Sequence, residues 1–294
     1  MTDTRVPSRV FPRASQDAES AKDAVSTPQT QHPAYRLAFQ DMDFLLREDL
    51  RPVRFQLELL KTQLVLEEAK IGSTFVFYGS ARIPEPAKAQ AMLDLATDPK
   101  ATKIAESLVE KSKYYDVARE LAAKVSVLPR DEHGMRQFVV CSGGGPSIME
   151  AANRGAADVG AESIGLNIVL PHEQAPNPYV TPSLSVQFHY FALRKMHFLL
   201  HARALAAFPG GFGTFDELFE LLTLIQTGKI EPIPVLLFGR KFWNRVVNFE
   251  ALVEEGVVSE KDLGIFHYVE TADEAWDVVQ RFYKDRAAKE AAEG

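Results

Sequence analysis

Apolar positions along this chain fall into two alternating registers. Short aromatic and β-branched runs, each closed by a glycine or a polar turn, alternate with longer stretches whose apolar residues recur at helical spacing. Residues 74–78 form the first such run and end at Gly79. Residues 87–98 and 100–127 read as helices on their Ala, Leu, Lys and Glu content. A second strand over 138–141 ends in Ser142-Gly143-Gly144-Gly145, and a helix follows over 147–159. The pattern continues with strands over 164–170 and 184–189, a helix near 192–202 and a strand over 204–208. Gly210-Gly211-Phe212-Gly213 then leads into a helix over 214–226, a strand over 234–238, a helix over 240–255 and a closing helix from about 273. This alternation predicts a Rossmann-like, doubly wound α/β domain with a mostly parallel sheet covered by helices on both faces.

Ahead of that domain the pattern changes. Residues 1–38 are rich in Ser, Thr, Pro, Gln and charge without periodicity, and are expected to be a disordered tail. Residues 39–70 turn helical, broken near Pro52, with Val53, Leu57, Leu60 and Leu64 on one stripe. Such a helical extension packs on the main domain, or the stripe serves a subunit interface. The main domain is expected over 71–294. Arg5, Arg9 and Arg13 among serines have a transit-peptide flavour, but Asp3, Asp17 and Glu19 intervene and no apolar core follows. A cytoplasmic protein is the expectation.

Composition narrows the function classes. A formal net charge of −7 argues against a nucleic-acid partner, which calls for a basic face. No apolar run is long enough to span a bilayer, so no membrane role is expected. Cys141 is the only cysteine, which excludes an intrachain disulfide and a multi-cysteine zinc site, and its place at the end of an apolar run reads as an inert buried thiol.

Candidate chemistry gathers at the strand ends, where ligands bind in such folds. Ser142-Gly143-Gly144-Gly145-Pro146 and Pro209-Gly210-Gly211-Phe212-Gly213-Thr214 each leave a strand and open a helix, presenting free amides and a positive dipole end to an anion. Glycines also serve tight turns without any ligand. Two such loops in one sheet, with Gly79-Ser80-Ala81-Arg82 after the first strand, favour a phosphorylated ligand. Neither G-x-G-x-x-G after the first strand nor a G-x-x-x-x-G-K-[ST] run occurs, so dinucleotide and ATP-hydrolysis readings are weak. Glu217 belongs to a T-x-x-E pattern and Glu150 to an S-x-x-E pattern, so each has a plain reading as the far half of a capping box. A carboxylate one turn inside a phosphate-binding helix also lies near the ribose of a nucleotide, where it can stabilise an oxocarbenium-like centre or activate water. Arg194 and Lys195 open the preceding helix and can reach the same cleft.

The run Phe188-His-Tyr-Phe-Ala-Leu-Arg194-Lys195 with Phe208-Pro-Gly-Gly-Phe-Gly-Thr-Phe-Asp-Glu217 resembles the LOG family of cytokinin-activating phosphoribohydrolases, in older naming lysine decarboxylases. The segments from Ser142 to Gly155 and from Tyr78 to Arg82 carry the same resemblance, which covers roughly 73–240 and points to the longer bacterial branch. It implies hydrolysis of the N-glycosidic bond of nucleoside 5′-monophosphates, AMP or cytokinin riboside monophosphates, without metal or organic cofactor. It implies Arg194 and Glu217 as the catalytic pair. Gly210, Gly211, Gly213 and Thr214 would hold the 5′-phosphate with Lys195 nearby, and Gly79, Ser80, Arg82, Ser142, Gly143, Gly144 and Gly145 would shape the rest of the site. A homodimer or higher homo-oligomer is implied as well. Compact members carry Met and His where this chain has Phe191 and Ala192, so base preference does not carry over.

Rival readings remain. His197 and His201 stand four apart, but Phe198 replaces the expected glutamate and no third metal ligand is evident, so packing is expected. His172 and His189 lie near strand ends without a specified role. A pyridoxal phosphate enzyme would need a Schiff-base lysine, for which Lys195 is the only well-placed candidate. A non-catalytic nucleotide or molybdenum-cofactor binding protein is the alternative of a different class, with Glu217 a mere cap, and a broad salvage nucleosidase is the alternative among enzymes.

Overall fold

A computed structural model describes residues 11–171 and 175–293. His172, together with Arg5, Arg9 and Asp3 of the targeting argument, lies outside the described residues. The chain divides into two compact units, one ending at Glu58 and one beginning at Leu59. The first carries the short helices α1 (Ala14–Ser20), α2 (Pro28–Gln31) and α3 (Met42–Leu45), and the division falls within α4 (Arg51–Glu68). Leu57, Leu60 and Leu64 are about half exposed, whereas Thr62 and Leu66 are buried.

The second unit is built on a seven-stranded sheet in the order β4-β3-β2-β1-β5-β6-β7, with every pairing parallel. Its strands are β1 (Thr74–Tyr78), β2 (Val139–Ser142), β3 (Ile164–Ile168), β4 (Ser185–Phe188), β5 (Ala202–Ala207), β6 (Val235–Phe238) and β7 (Phe266–Val269). Its remaining helices are α5 (Pro86–Asp94), α6 (Pro99–Ser126), α7 (Ile148–Asp158), α8 (Phe191–Leu200), α9 (Phe212–Gln226), α10 (Arg240–Val246), α11 (Phe249–Glu254) and α12 (Ala272–Glu293). The doubly wound parallel sheet expected from the alternation is what forms. β7 carries no clear signal in the sequence, because its four residues are of mixed burial and end the sheet as an edge. The helix expected over 240–255 is two helices. Asn248 interrupts it, its side chain accepting the amide of Ala251 at 3.1 Å as the N-cap of α11.

Burial explains the middle of the sheet. All five residues of β1 are buried, and Phe75 and Phe77 face the apolar layer formed with α6, α7 and α12. Phe208 extends that layer, stacked on Phe238 at 4.2 Å and on Phe77 at 6.3 Å between ring centroids. On the opposite face Tyr78 meets Phe198 of α8 edge-on at 5.2 Å. Cys141 is buried here, and burial pushes its thiol well up from the ordinary value, as expected of an inert core cysteine. Strand order reverses at β1: β2, β3 and β4 extend to one side and β5, β6 and β7 to the other. Reversal of strand order of this kind leaves a crevice at the carboxyl end of the sheet beside β1 and β5.

Helix α7 is clamped against α6 at Gly155. A methyl group there would stand 2.1 Å from the carbonyl oxygen of Arg119 and 2.8 Å from Cβ of Ala122. Gly155→Ala is therefore expected to destabilise the protein by about 2–3 kcal/mol through overpacking, read as a lower midpoint in urea unfolding with an unchanged m-value.

Candidate active site

Three loops meet at the crevice, and neighbouring side chains crowd several of their glycines. The loop after β1 is tied to the one after β5 by the amide of Ser80 on the carbonyl of Pro209 at 3.1 Å and by the amide of Phe208 on the carbonyl of Tyr78 at 2.8 Å. Gly79 sits beneath Ile148 of α7, where a Cβ would approach the isoleucine side chain to 2.5 Å. Gly143 lies beneath the guanidinium of Arg194, which a Cβ would meet at 2.6 Å. Gly144 has a φ of +72° and backs onto Asn167, and Gly210 leaves room for Thr214, whose Oγ1 would be 2.2 Å from an added Cβ.

Gly211 and Gly213 behave differently. Neither has a positive φ, and an added Cβ on either would meet nothing within 4 Å. Protein packing and turn geometry thus do not demand glycine at these two positions. Both border open space at the start of α9, whose first turn offers unpaired amides and the positive end of the helix dipole.

The resulting cleft has a volume of about 860 Å³. Of the residues expected at the site, Gly79, Ser80, Arg82, Gly143 and Arg194 line it from one side, and Gly211, Gly213, Thr214 and Glu217 from the other. Met149, Ile168, Leu170, Phe191, Phe212 and Val246 add an apolar surface to it that the sequence did not mark as a group. Phe212 is the most open of these, with 96% of its surface exposed.

Ser142, Gly144 and Gly145 stand behind the lining. Ser142 donates to Oδ1 of Asn153 at 2.7 Å and accepts the amide of Gly144 at 3.1 Å. Asn177 donates through Nδ2 to the carbonyls of Gly144 and Gly145 at 3.1 and 3.0 Å, and to Asn153 at 3.0 Å. Asn153 in turn donates to Ser163 at 3.0 Å. This buried network fixes the second glycine loop from below, where an unpaired amide would be costly. Asn153 had a readable signal, a lone amide among the alanines and isoleucine of the buried face of α7. Asn177 had none, because its partners become neighbours only on folding.

Lys195 is not brought to the cleft. Its Nζ lies 2.9 Å from Asp216 and 3.0 Å from Glu220, both on α9. Burial works against its charge, but these two carboxylates outweigh that and raise its pKa, so it is held as an ammonium. A Schiff-base lysine needs the opposite shift.

The capping-box reading of both glutamates fails on geometry. Helix α9 starts at Phe212 with Gly211 as its N-cap, so Thr214 lies inside the first turn and makes no cap bond to its own helix end. Ser147 does precede α7, but at a φ of +63° it turns its hydroxyl to the carbonyl of Ala81 at 3.0 Å, and Glu150 accepts the hydroxyl of Tyr115 at 3.0 Å. Glu217 is left facing Arg194. Their nearest atoms are 3.6 Å apart, with 14% of the glutamate side chain and 11% of the arginine side chain exposed. Arg194 is oriented by its Nε donating to the carbonyl of Leu166 at 2.7 Å and by lying over the ring of Phe198. Glu217 makes no hydrogen bond among the described residues. Burial pushes its pKa up to about 7, with Arg194 opposing the shift and the Asp216 charge adding to it.

His197 is buried against Phe188 and His201 ends α8, away from the cleft, and burial lowers the pKa of both. His189 packs edge-on against Tyr190 and does not line the cleft. Among the described residues no group of three or more His, Cys, Asp or Glu side chains is placed to hold a metal ion, and no helix is long and apolar enough to cross a membrane.

Comparison with known proteins gives the following. A family model described as "possible lysine decarboxylase" matches residues 149–279. The cytokinin riboside 5′-monophosphate phosphoribohydrolase LOG4 of Arabidopsis thaliana is 30% identical over 56% of this chain and 74% of its own length. The pyrimidine/purine nucleotide 5′-monophosphate nucleosidase of Escherichia coli K12 is 29% identical over 51% of this chain and 35% of its own length. Among solved structures, the molybdenum cofactor carrier protein of Chlamydomonas reinhardtii superposes over 72% of this chain and 99% of its own with a TM-score of 0.42 at 19% identity.

The raised pKa of Glu217 has a measurable consequence. Between its ordinary value of 4.5 and about 7, the folded protein keeps a proton that the unfolded chain has released. Stability is therefore lost as pH rises through that window, and the loss is complete above about 7. Glu217→Gln is expected to remove this dependence. The variant should gain on the order of 2–3 kcal/mol over wild type at pH 8 and nothing at pH 4, measured by thermal or urea unfolding across pH.

Proposed function

The chain belongs to the LOG family, and on that premise we propose that it hydrolyses the N-glycosidic bond of nucleoside 5′-monophosphates, releasing free base and ribose 5-phosphate. The observation that carries this reading is Glu217, a largely buried carboxylate with no hydrogen bond of its own, facing Arg194 across a nucleotide-sized cleft.

The 5′-phosphate is placed at the first turn of α9, against the open amides beside Gly211 and Gly213 and the hydroxyl of Thr214. Absence of any packing reason for those two glycines supports this placement. The ribose then lies alongside Glu217. Breaking the bond from C1′ to the base sends its electron pair to the base and leaves positive charge on the sugar, which the Glu217 carboxylate stabilises. Water adds hydroxide to C1′, and its proton reaches the departing base, with Glu217 orienting the water and able to relay the proton. Arg194 holds the substrate and stabilises negative charge on the departing side. Lys195 acts through Asp216 and Glu220 as a positioning residue for α9 rather than as a phosphate ligand. Assembly as a homodimer or higher homo-oligomer belongs to the same proposal.

The apolar part of the cleft lining bears on the base. Met149, Ile168, Leu170, Phe191, Phe212 and Val246 offer stacking and van der Waals surface but no strong side-chain donor or acceptor. A wall of that kind accepts a planar ring without reading its edge, which favours a broad nucleotide nucleosidase over a strict cytokinin enzyme. Apolar contacts of this kind discriminate between bases weakly. Accordingly kcat/KM for CMP and UMP should fall within about tenfold of that for AMP, measured by ribose 5-phosphate release under matched conditions. A strict requirement for an N6-substituted adenine would contradict this breadth.

Glu217→Ala should cut release from AMP by roughly a hundredfold or more while the protein stays folded. In wild type kcat should rise with pH through about 7, because the ionised carboxylate is the working form. Undiminished release from the alanine variant would sink the assignment.

A further inference from the structure

A second cavity of about 640 Å³ adjoins the cleft across the same two loops and shares Ser80, Arg82 and Gly211 with it. Three separate elements turn basic side chains into it: Arg82 from the loop after β1, Lys103 and Lys111 from α6, and Arg245 from α10. Lys103 and Lys111 are eight residues apart and so lie on one face of α6. In a chain of net charge −7, four cations on one small cavity run against the average of the surface.

Those charges are not spent within the protein. Arg82, Lys103 and Arg245 have no ion-pair partner among the described residues, and Lys111 donates only to the carbonyl and hydroxyl of Ser107. Two carboxylates, Glu106 and Glu110, share the wall, but Glu110 is engaged by Lys241 at 2.5 Å. Burial lowers the pKa of Lys111, and the nearby Arg245 and Lys241 charges lower it further against the opposing pull of Glu110. Like charges held together in this way are relieved by an anion between them.

Position gives the anion its chemistry. Gly211 opens α9 and faces both cavities, so a phosphate seated at that helix start stands on the boundary between them. A group attached to such a phosphate on the side away from the ribose would have the basic cavity next to it. We propose that this cavity is a subsite for the second phosphoryl group of a nucleoside 5′-diphosphate, which the protein binds more tightly than the corresponding monophosphate. The proposal rests on the nucleotide reading of the main cleft and extends it from the monophosphate to the diphosphate class.

The test compares AMP and ADP, without divalent metal, by calorimetric titration of the full-length protein, alongside AMP turnover. ADP is expected to bind at least about tenfold more tightly than AMP at low salt, with the advantage shrinking as ionic strength rises. In the double variant Lys103→Gln, Arg245→Gln, both exposed positions, the ADP advantage should fall to about onefold, with AMP affinity and turnover unchanged. Equal affinity for AMP and ADP in a protein that turns AMP over normally overturns the subsite and leaves the hydrolase reading intact. An ADP advantage that survives in the double variant overturns it as well. Preferential ADP binding without any AMP turnover supports the subsite and removes the hydrolase. Inorganic phosphate that raises AMP affinity in wild type to the level of ADP would show a free anion as the occupant and overturn the attached-phosphoryl form of the proposal.

Discussion

Arg194 faces Glu217 from above Gly143, where an added methyl group would stand 2.6 Å from the guanidinium and displace it. This close approach governs the arrangement around it. The glycine loop must hold still beneath the guanidinium, so it is fastened from behind by Ser142, Asn153 and Asn177. Asn153 stands on α7 two residues before Gly155, where that helix lies tight on α6. The loops after β1 and β5 must also open toward the pair, and reversal of strand order at β1 supplies that opening. Glycines that look interchangeable in the sequence thus have separate reasons: some yield to a neighbouring side chain, while Gly211 and Gly213 border empty space.

Electrostatics at the pair is set by desolvation more than by the arginine. A carboxylate beside a guanidinium ordinarily sits below its usual pKa, yet Glu217 lies above it because burial outweighs an attraction acting across 3.6 Å. A carboxylate poised near neutrality without a hydrogen bond is poorly arranged for stability and well arranged to answer positive charge arriving on a sugar. Nothing comparable surrounds Lys195. Its two acidic neighbours keep it protonated and tie α8 to α9.

Doubly wound architecture is legible along the chain because buried parallel strands are short, apolar and closed by glycine, while the helices between them keep their own period. Elements failed to be legible where that contrast fades. β7 is an edge strand of four residues with mixed burial, and Asn248 divides one apparent helix into two with a single side-chain cap. Helix α4 shows the same limit. Its apolar stripe is plain in the sequence, but packing selected Thr62 and Leu66 and left Leu60 and Leu64 open. Periodicity locates a helix and does not say which face its surroundings will cover.

For the site, the sequence by itself determined the parts: two glycine loops at strand ends, an arginine and a glutamate on the helices beside them, and a resemblance that joined these into one motif. It could not decide between a capped helix end and a free carboxylate. That choice turned on whether α9 begins at Phe212 or two residues later, a matter of backbone geometry in the folded loop. Tertiary structure alone placed Lys195 against Asp216 and Glu220, brought Asn177 under the second glycine loop, and gathered Arg82, Lys103, Lys111 and Arg245 from three elements around one cavity. The physical reason is common to all of these. Local pattern is written in neighbours along the chain, whereas charge pairing and desolvation depend on neighbours that only the completed sheet and its helices bring together.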